Sequence, residues 1–180
     1  MSSSIRKWKT SESAELLRTR VFKVTEHEAS LDEKSGKFVV LNMPDWINII
    51  AETEEGEVIV IYQYRHGLDS ITLEIPGGVM DKGEDPLESA KRELLEETGY
   101  ESTEWKKLGV TAVNPAIANN HTHLFYAGKC KIVGEQDLDE HEDIEVKLLA
   151  REEFFDKIRN GEITHSLILA AVCYWKLADS

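Results

Sequence analysis

The sequence contains few cysteines and no long apolar segment. Its two cysteines, Cys130 and Cys173, belong to no CxxC pair, so no zinc-binding framework is visible. A single disulfide between them stays open, but two buried thiols in a reducing compartment are favoured. The N-terminus lacks the apolar run of a signal peptide, and the longest apolar run, residues 167–175, is too short to cross a bilayer. We therefore expect a cytoplasmic protein.

Basic residues are also scarce. The chain of 180 residues has 21 Lys and Arg against 34 Asp and Glu, which gives a net charge of −13. Surfaces that bind nucleic acid or anionic membranes need basic patches, so this charge argues against long nucleic acids and membranes as partners. It does not exclude a small anionic substrate, because bound metal ions can invert the local field.

Apolar alternation and turn residues predict a series of strands interrupted by three helices. The polar residues 1–15 are expected to be frayed or loosely attached. The predicted strands cover residues 21–28, 38–43, 46–53, 58–64, 71–75, 105–113, 123–132 and 144–149, and the predicted helices cover 86–98, 152–160 and 165–177. This order of elements predicts an α+β fold around a mixed sheet.

The helix over residues 86–98 has the clearest boundaries in the sequence. Asp85 is placed to cap it, Pro86 suits the first helical position, and Glu88 completes a capping box. Gly99 suits the left-handed position after the end of the helix.

Three glutamates share the flank of this helix. At about 100° per residue, four side chains form an apolar arc that must face the core: Leu87, Ala90, Leu94 and the methyl group of Thr98. Glu93 and Glu97 lie on the shoulder of that arc, whereas Glu96 lies nearer to water. Partly buried like charges raise each other's pKa or require a cation, and Mg²⁺ prefers such oxygen ligands. For the glutamates alone, a solvated acidic face is the alternative.

These glutamates belong to a longer pattern. Gly78, five residues, Glu84, seven residues and then RELLEETG over residues 92–99 resemble the Nudix box, the signature of hydrolases acting on nucleoside diphosphates linked to another moiety. Tyr100 departs from the usual aliphatic residue, and we expect it to pack rather than react. The resemblance implies a Nudix-type α/β/α sandwich at residues 45–180, with residues 1–44 as an N-terminal strand region and candidate dimerisation arm.

The resemblance also implies roles for individual residues. The metal ligands would be the carbonyl of Gly77 and the carboxylates of Glu93, Glu96 and Glu97, and the metal would be Mg²⁺, with Mn²⁺ as a substitute. Arg92 would neutralise and orient the glutamates, so that Arg92 and Glu97 count among the catalytic residues. Glu84 would brace the loop.

Flanking segments resemble one branch of the family, the ADP-ribose and nucleotide-sugar pyrophosphatases. Gln63-Tyr64-Arg65 and Leu73-Glu74-Ile75-Pro76-Gly77-Gly78 match its layout, and the resemblance implies that three residues contact the substrate: Arg65, Glu74 and Pro115. A guanidinium suits phosphate because it offers a planar fork of donors. A surface ion pair is the alternative for Arg65.

Two further groups of residues have open roles. The acidic segment 137–146 resembles the acidic loop of that branch, which implies Glu140 as the catalytic base and Glu142 as a metal ligand, with Asp143 as a further candidate for the base. The alternative is a solvated, mobile loop. His121 and His123 share one face of a predicted strand and could bind metal or substrate, but no third ligand is evident.

The leading expectation is therefore a Mg²⁺-dependent enzyme that hydrolyses the pyrophosphate bond of nucleoside diphosphate sugars. ADP-ribose or GDP-mannose would give a nucleoside monophosphate and a sugar phosphate. The alternatives are a hydrolase of dinucleoside polyphosphates or capped RNA 5′ ends, a catalytically silent nucleotide-binding module, and an acidic scaffold without a ligand. The branch also implies a homodimer.

Overall fold

The computed structural model describes residues 4–178, which group into two compact units. The first unit comprises the described residues up to Pro44 together with residues 112–120, and the second comprises residues 45–111 and the described residues from His121 onward. The assignment of residues 1–44 as a separate functional region stays a prediction.

The first unit contains a three-stranded antiparallel sheet with the order β1-β2-β3, formed by Lys9–Arg18, Lys23–Leu31 and Lys34–Asn42. The prediction that residues 1–15 are frayed is wrong from Lys9 onward, because β1 pairs with β2 from Lys9 to Arg18. Residues 1–3 lie outside the described part. All ten side chains of β1 are exposed, so β1 lacks the apolar alternation that signals a strand.

The remaining strands form a mixed sheet with the order β10-β5-β4-β9-β7, in which β6 also pairs with β5 and β8 with β9. These strands are β4 (Trp46–Thr53), β5 (Glu57–Arg65), β6 (Ser70–Glu74), β7 (Tyr100–Glu101), β8 (Glu104–Ala112), β9 (His121–Ile132) and β10 (Ile144–Ala150). β4 pairs in parallel with β9, whereas β5 pairs antiparallel with β4, β6 and β10.

Three helices cover the two faces of this sheet: α1 (Pro86–Thr98), α2 (Arg151–Arg159) and α3 (Ser166–Ala178). Successive side chains of a strand point to opposite faces, and β4 accordingly supplies two cores. Ile49 packs in one cluster with Leu94 of α1, whereas Ile50 packs in a second cluster with Phe154 of α2 and Trp175 of α3. The predicted α+β fold, with an α/β/α sandwich around a mixed sheet, is confirmed.

The boundaries of α1 follow from its capping residues, as predicted. The Asp85 side chain accepts hydrogen bonds from the backbone N–H groups of Leu87 and Glu88, and Gly99 adopts the left-handed conformation at φ 73°. The Glu88 carboxylate instead contacts Lys91, with Oε1 2.7 Å from Nζ, so it does not close the predicted capping box. From residue 58 onward, every predicted element lies within two residues of an observed one, and only the short β7 was missed.

Both cysteines are free thiols, as favoured from the sequence. The prediction that both are buried is wrong for Cys173, which is exposed, whereas Cys130 is buried. Cys173 lies in α3 between Val172 and Trp175, which are buried, but it points away from the sheet. Within residues 4–178, no helix is long and apolar enough to span a membrane.

Replacing Gly99 with alanine should lower the free energy of unfolding by about 3 kcal/mol. The left-handed φ costs alanine about 1 kcal/mol, and the added Cβ would collide with the carbonyl oxygen of Gly134, an overpacking cost of about 2 kcal/mol. Gly161→Ala is the matched control, because Gly161 has φ 75° with nothing within 4 Å of an added Cβ. Urea denaturation measures both changes, and equal losses would contradict the collision.

Candidate functional site

The loop of residues 76–80 lies along the first half of β4. The N–H of Ile49 donates to the carbonyl of Pro76, and the N–H of Ile47 donates to the carbonyl of Gly78, each at 2.9 Å. The N–H of the intervening Gly77 is not bonded to β4 and instead reaches Glu97 of α1.

The two glycines of this loop make close contacts that a side chain would prevent. The N–H of Gly77 donates to Oε2 of Glu97 at 2.8 Å, and a Cβ on Gly77 would collide with the carbonyl oxygen of Ile47. A Cβ on Gly78 would lie 2.6 Å from Oε1 of Glu93. The loop and the carboxylates of α1 can approach this closely only with glycine at both positions.

Burial strongly affects two of the three glutamates on α1. Glu93 is 9% exposed and Glu97 is 4% exposed, whereas the side chain of Glu96 is 39% exposed, as the helical periodicity predicts. Burial raises the pKa of Glu93 to about 7, although Arg92 partly opposes this shift. Burial also raises the pKa of Glu97 well above its ordinary value, against the hydrogen bond from Gly77. The charged forms of both carboxylates are therefore destabilised unless a cation is near.

Arg92 connects three acidic side chains around α1. Its Nε lies 3.0 Å from Oε1 of Glu84, and its Nη1 lies 3.0 Å from Oε1 of Glu93 and 2.9 Å from Oε2 of Glu96. The hydrogen bonds from Arg92 lower the pKa of Glu84 to about 2. Glu84 in turn accepts a hydrogen bond from the N–H of Asp81 at 3.0 Å, so it braces the loop.

Arg65 is held in a bidentate ion pair at the start of the β5–β6 connection. Its Nε and Nη2 donate to the two carboxylate oxygens of Glu74 at 2.8 Å, and Oγ1 of Thr72 donates to the same carboxylate at 2.6 Å. Burial disfavours the charged form of Glu74, but these hydrogen bonds outweigh burial and lower its pKa. The hydrogen bonds to Glu74 raise the pKa of Arg65, and the charges of Glu97 and Glu142 add smaller contributions in the same direction.

Glu142 lies in the acidic loop after β9. Burial is the main cause of the raised pKa of Glu93 and of Glu97, and the negative charge of Glu142 adds a smaller contribution to both. Its Oε2 accepts a hydrogen bond from the N–H of Asp139 at 3.1 Å. Glu140 is exposed in the same loop, and no contact within residues 4–178 joins its side chain to α1.

Pro115, His121 and His123 belong to other segments of the chain. Pro115 lies in the segment 112–120 of the first unit, and its contact with substrate stays a prediction. His123 contacts Asp45, with Nε2 3.2 Å from Oδ2, and the backbone N–H of His121 donates to Oδ1 of the same residue at 2.8 Å. Sequence analysis missed Asp45, because its partners lie more than 70 residues further along the chain.

A second buried carboxylate shows how this fold neutralises such a group with protein donors alone. Glu52 on β4 is 2% exposed and receives hydrogen bonds from Nε and Nη2 of Arg151, at 2.8 and 2.6 Å, and from the hydroxyl of Tyr126 at 2.9 Å. The carboxylate of Glu97 receives a single hydrogen bond within the described residues, from Gly77. Glu97 therefore retains oxygen lone pairs for a cation.

The donor chemistry of the site fits a hard divalent cation, although the observed arrangement is not a closed metal centre. Within residues 4–178, no group of three His, Cys, Asp or Glu side chains is arranged to hold a metal ion. In the observed arrangement, two of the proposed ligands, Glu93 and Glu96, form ion pairs with Arg92. The available donors near α1 are nonetheless all oxygen atoms, which Mg²⁺ prefers and which it binds together with substrate phosphates.

Comparisons with known proteins identify the family and the fold. Residues 44–171 match the NUDIX domain family. The chain is 31% identical over 148 residues to the ADP-ribose pyrophosphatase of Bacillus subtilis (strain 168), covering 82% of this chain and 80% of that protein. It is 33% identical over 174 residues to the methanol dehydrogenase activator of Bacillus methanolicus, covering 96% and 94%. A crystal structure of an ADP compounds hydrolase has the same fold, with a TM-score of 0.82 at 21% identity, covering 97% of this chain and 95% of that one.

The buried Glu93 should make stability depend on pH when divalent cations are removed by a chelator. Because its pKa rises from 4.5 to about 7 on folding, the folded state binds more protons than the unfolded state in this interval. Stability then falls as pH increases from about 4.5 to 7. Glu93→Gln should remove up to about 3 kcal/mol of this fall.

Urea denaturation at pH 5 and pH 8 measures the fall. Glu101→Gln removes one negative charge from an exposed position on β7 and is the control. If the free energy of unfolding of Glu93→Gln falls between pH 5 and pH 8 as much as that of the wild type, burial does not raise the pKa of Glu93 as described.

Proposed function

Because this chain belongs to the Nudix family and is a pyrophosphohydrolase, we propose that it cleaves the pyrophosphate bond of nucleoside diphosphate sugars. ADP-ribose and GDP-mannose are the favoured substrates, and the products are a nucleoside monophosphate and a sugar phosphate. The buried pair Glu93 and Glu97, together with the guanidinium that Glu74 holds at Arg65, carries the proposal. It combines desolvated carboxylates for metal ions with a guanidinium for phosphate. The ADP-ribose pyrophosphatase of Bacillus subtilis supports the choice of substrate class.

Mg²⁺ is the proposed cofactor, with Mn²⁺ as a substitute. Its ligands would be the carbonyl of Gly77 and the carboxylates of Glu93, Glu96, Glu97 and Glu142. When bound, the metal would neutralise the phosphate oxygens and lower the pKa of the attacking water. The carbonyl of Gly77 supports this assignment, because it accepts no hydrogen bond from β4 while its neighbours Pro76 and Gly78 do.

Arg92 has an orienting role in this proposal. Its guanidinium fixes Glu93 and Glu96 relative to each other and offsets part of their mutual repulsion. Glu84 fixes Arg92 in turn through a second pair of hydrogen bonds, at 3.0 and 3.1 Å. The catalytic carboxylates are thereby held in place before substrate binds, which lowers the entropic cost of assembling the site.

Arg65 would bind the substrate through phosphate oxygens. Glu74 and Thr72 fix the plane of its guanidinium, so Glu74 contributes to substrate binding through Arg65. Nη1 of Arg65 lies outside this pair and is the donor that we assign to phosphate. Pro115 stays a proposed substrate contact.

Glu140 is the proposed general base, which takes a proton from the attacking water. Both Glu140 and Glu142 are exposed. The carboxylate of Glu140 can reach solvent and accept this proton, whereas the carboxylate of Glu142 is held by the N–H of Asp139 and is assigned to the metal. The two acidic residues of one loop thus have different proposed roles.

A panel of nucleotide sugars, dinucleotides and nucleoside triphosphates with Mg²⁺ tests the proposed reaction. We expect nucleoside monophosphate and sugar phosphate from nucleotide sugars, resolved by chromatography, with inorganic phosphate appearing only after phosphatase treatment. Equal turnover of triphosphates would contradict the substrate class. Binding without turnover of any member would instead favour a silent nucleotide-binding module.

Matched Glu→Gln variants on the same panel separate the roles of the acids. Glu97→Gln should reduce kcat by about 10³-fold, since a metal-binding carboxylate is lost, with little change in the free energy of unfolding. Glu140→Gln should slow hydrolysis by about 10²-fold and retain substrate binding, whereas Glu142→Gln should weaken metal binding. Near-normal kcat in Glu140→Gln would move the base to Asp143 or to solvent.

We also propose a homodimer formed through the first unit. Its strands expose four large apolar side chains, Leu16, Leu17, Phe38 and Val39, and the connection between β1 and β2 exposes Val21. A group of exposed apolar side chains in one small unit is typical of an interface. A cytoplasmic location, and the absence of membranes and long nucleic acids among the partners, stay predictions from composition.

Light scattering at micromolar concentration tests the dimer, with an expected mass of about twice 20.4 kDa. Leu17→Lys should shift the protein toward the monomer, because a charge on an apolar interface is costly to desolvate. Leu177→Lys, which changes an exposed leucine of α3 in the second unit, is the control and should stay dimeric. A monomeric wild type would refute the proposal.

A further inference from the structure

The acidic loop is attached directly to the end of the catalytic helix. The N–H of Val133 donates to the carbonyl of Gly99, and the N–H of Asp137 donates to the carbonyl of Glu96, each at 2.9 Å. The last carbonyl groups of a helix have no partner within the helix. The segment after β9 supplies two of these partners, so the end of α1 and the start of the acidic loop form one connected region.

The side chain of Gln136 makes the central connection in this region. Its Nε2 donates to the carbonyl of Glu97 at 2.6 Å and to the carbonyl of Ile144 at 3.1 Å. Only the NH₂ group of the amide can donate to two carbonyl oxygens, which fixes its orientation. Gln136 therefore joins the last turn of α1 to the first residue of β10 and brings the two ends of the loop 137–143 together.

This connection fixes Glu97 from two sides. Its carbonyl accepts the hydrogen bond from Gln136, and its carboxylate accepts the hydrogen bond from the N–H of Gly77. The backbone of Glu97 and its reactive end are thus held by different parts of the chain. A shift at the ends of the loop 137–143 would therefore also shift Glu97.

The loop 137–143 is itself compact, so the position of its two ends determines where its acidic side chains lie. The N–H of Glu142 donates to the carbonyl of Asp139 at 2.9 Å, and the N–H of Asp139 donates back to the Glu142 carboxylate at 3.1 Å. Glu142 acts electrostatically on Glu93 and Glu97. Because these two hydrogen bonds close the turn, we expect the loop 137–143 to shift as one unit when the residues at its ends shift.

We propose that Gln136 is a positioning residue, whose amide sets the distance between the acidic loop 137–143 and the glutamates of α1. The inference rests on the proposed function, because it assigns the loop acids to the reaction. Gln136 does not contact the substrate in this scheme and acts through Glu97 and Glu142. Loss of its two hydrogen bonds would leave the helix, the sheet and the hydrogen bond from Asp137 to Glu96 intact but remove the side-chain link between α1 and β10 that positions the loop.

Two substitutions separate the hydrogen bonds from the size of the side chain. Gln136→Leu removes both donors at similar length, and Gln136→Glu places a carboxylate against two carbonyl oxygens. Glu135→Ala is the control, because the neighbouring Glu135 is exposed and its side chain makes no hydrogen bond within the described residues. All three variants are made in the full chain.

The first readout is amide hydrogen exchange in the loop 137–143 without substrate. We expect exchange about tenfold faster in Gln136→Leu, as two hydrogen bonds are lost, and faster still in Gln136→Glu. Exchange in the middle of α1 and in Glu135→Ala should be unchanged. Equal rates of amide exchange in this loop for all variants would contradict the proposal that Gln136 holds the loop in place.

The second readout is steady-state kinetics on the substrate that the wild type hydrolyses. We expect kcat to fall about 10–100-fold in Gln136→Leu, since a small misplacement of a catalytic group has such an effect, with KM within about threefold. Faster exchange with unchanged kcat, or a loss in kcat explained by global unfolding, would overturn the positioning role. An inactive wild type would refute the proposed function alone, and the exchange data would still decide whether Gln136 anchors the loop.

Discussion

The desolvation of two carboxylates on one helix is the constraint on which the site depends. Ala90 and Leu94 must face the core, and at the helical repeat their burial draws Glu93 and Glu97 partly under the protein surface. A carboxylate in such a position is stable only with a proton, a hydrogen-bonded cation or a metal ion. Glu52, on the opposite face of the same sheet, is satisfied by Arg151 and Tyr126.

The same constraint explains the glycine loop and Arg92. Residues 76–80 approach α1 closely enough for a backbone N–H to reach Glu97, and a side chain at Gly78 would occupy the space of the Glu93 carboxylate. Arg92 supplies a positive charge beside Glu93. The chain carries a net charge of −13, and Arg92 offsets only part of the negative charge of the site, through its contacts with Glu84, Glu93 and Glu96.

Features with local signals were predictable from the sequence, and features that depend on distant partners were not. The ends of α1 followed from Asp85 and Gly99, because caps are determined by neighbouring residues. The burial of Glu93 and Glu97 followed from periodicity. β1 was missed because its side chains are all exposed and its pairing with β2 leaves no apolar pattern.

Asp45 and Gln136 were missed for a related reason. Each contacts residues that are remote in sequence, and neither belongs to a recognisable pattern. Asp45 accepts a hydrogen bond from the N–H of His121, 76 positions away, and Gln136 donates to the carbonyl of Glu97, 39 positions away. A motif indicates which side chains perform chemistry, whereas the residues that hold them in place are determined by the tertiary structure.

The parallel pairing of β4 with β9 also affects how the protein is made. Trp46 pairs with Thr122, so the sheet beneath α1 is incomplete until the chain has been synthesised well beyond the helix. During translation, α1 leaves the ribosome with its apolar arc and its glutamates before β9 exists to cover that arc. Contacts between such distant segments form slowly, and exposed apolar surfaces favour aggregation in the meantime. The acidic flank of α1 therefore also keeps the nascent chain in solution, since its negative charges repel neighbouring chains.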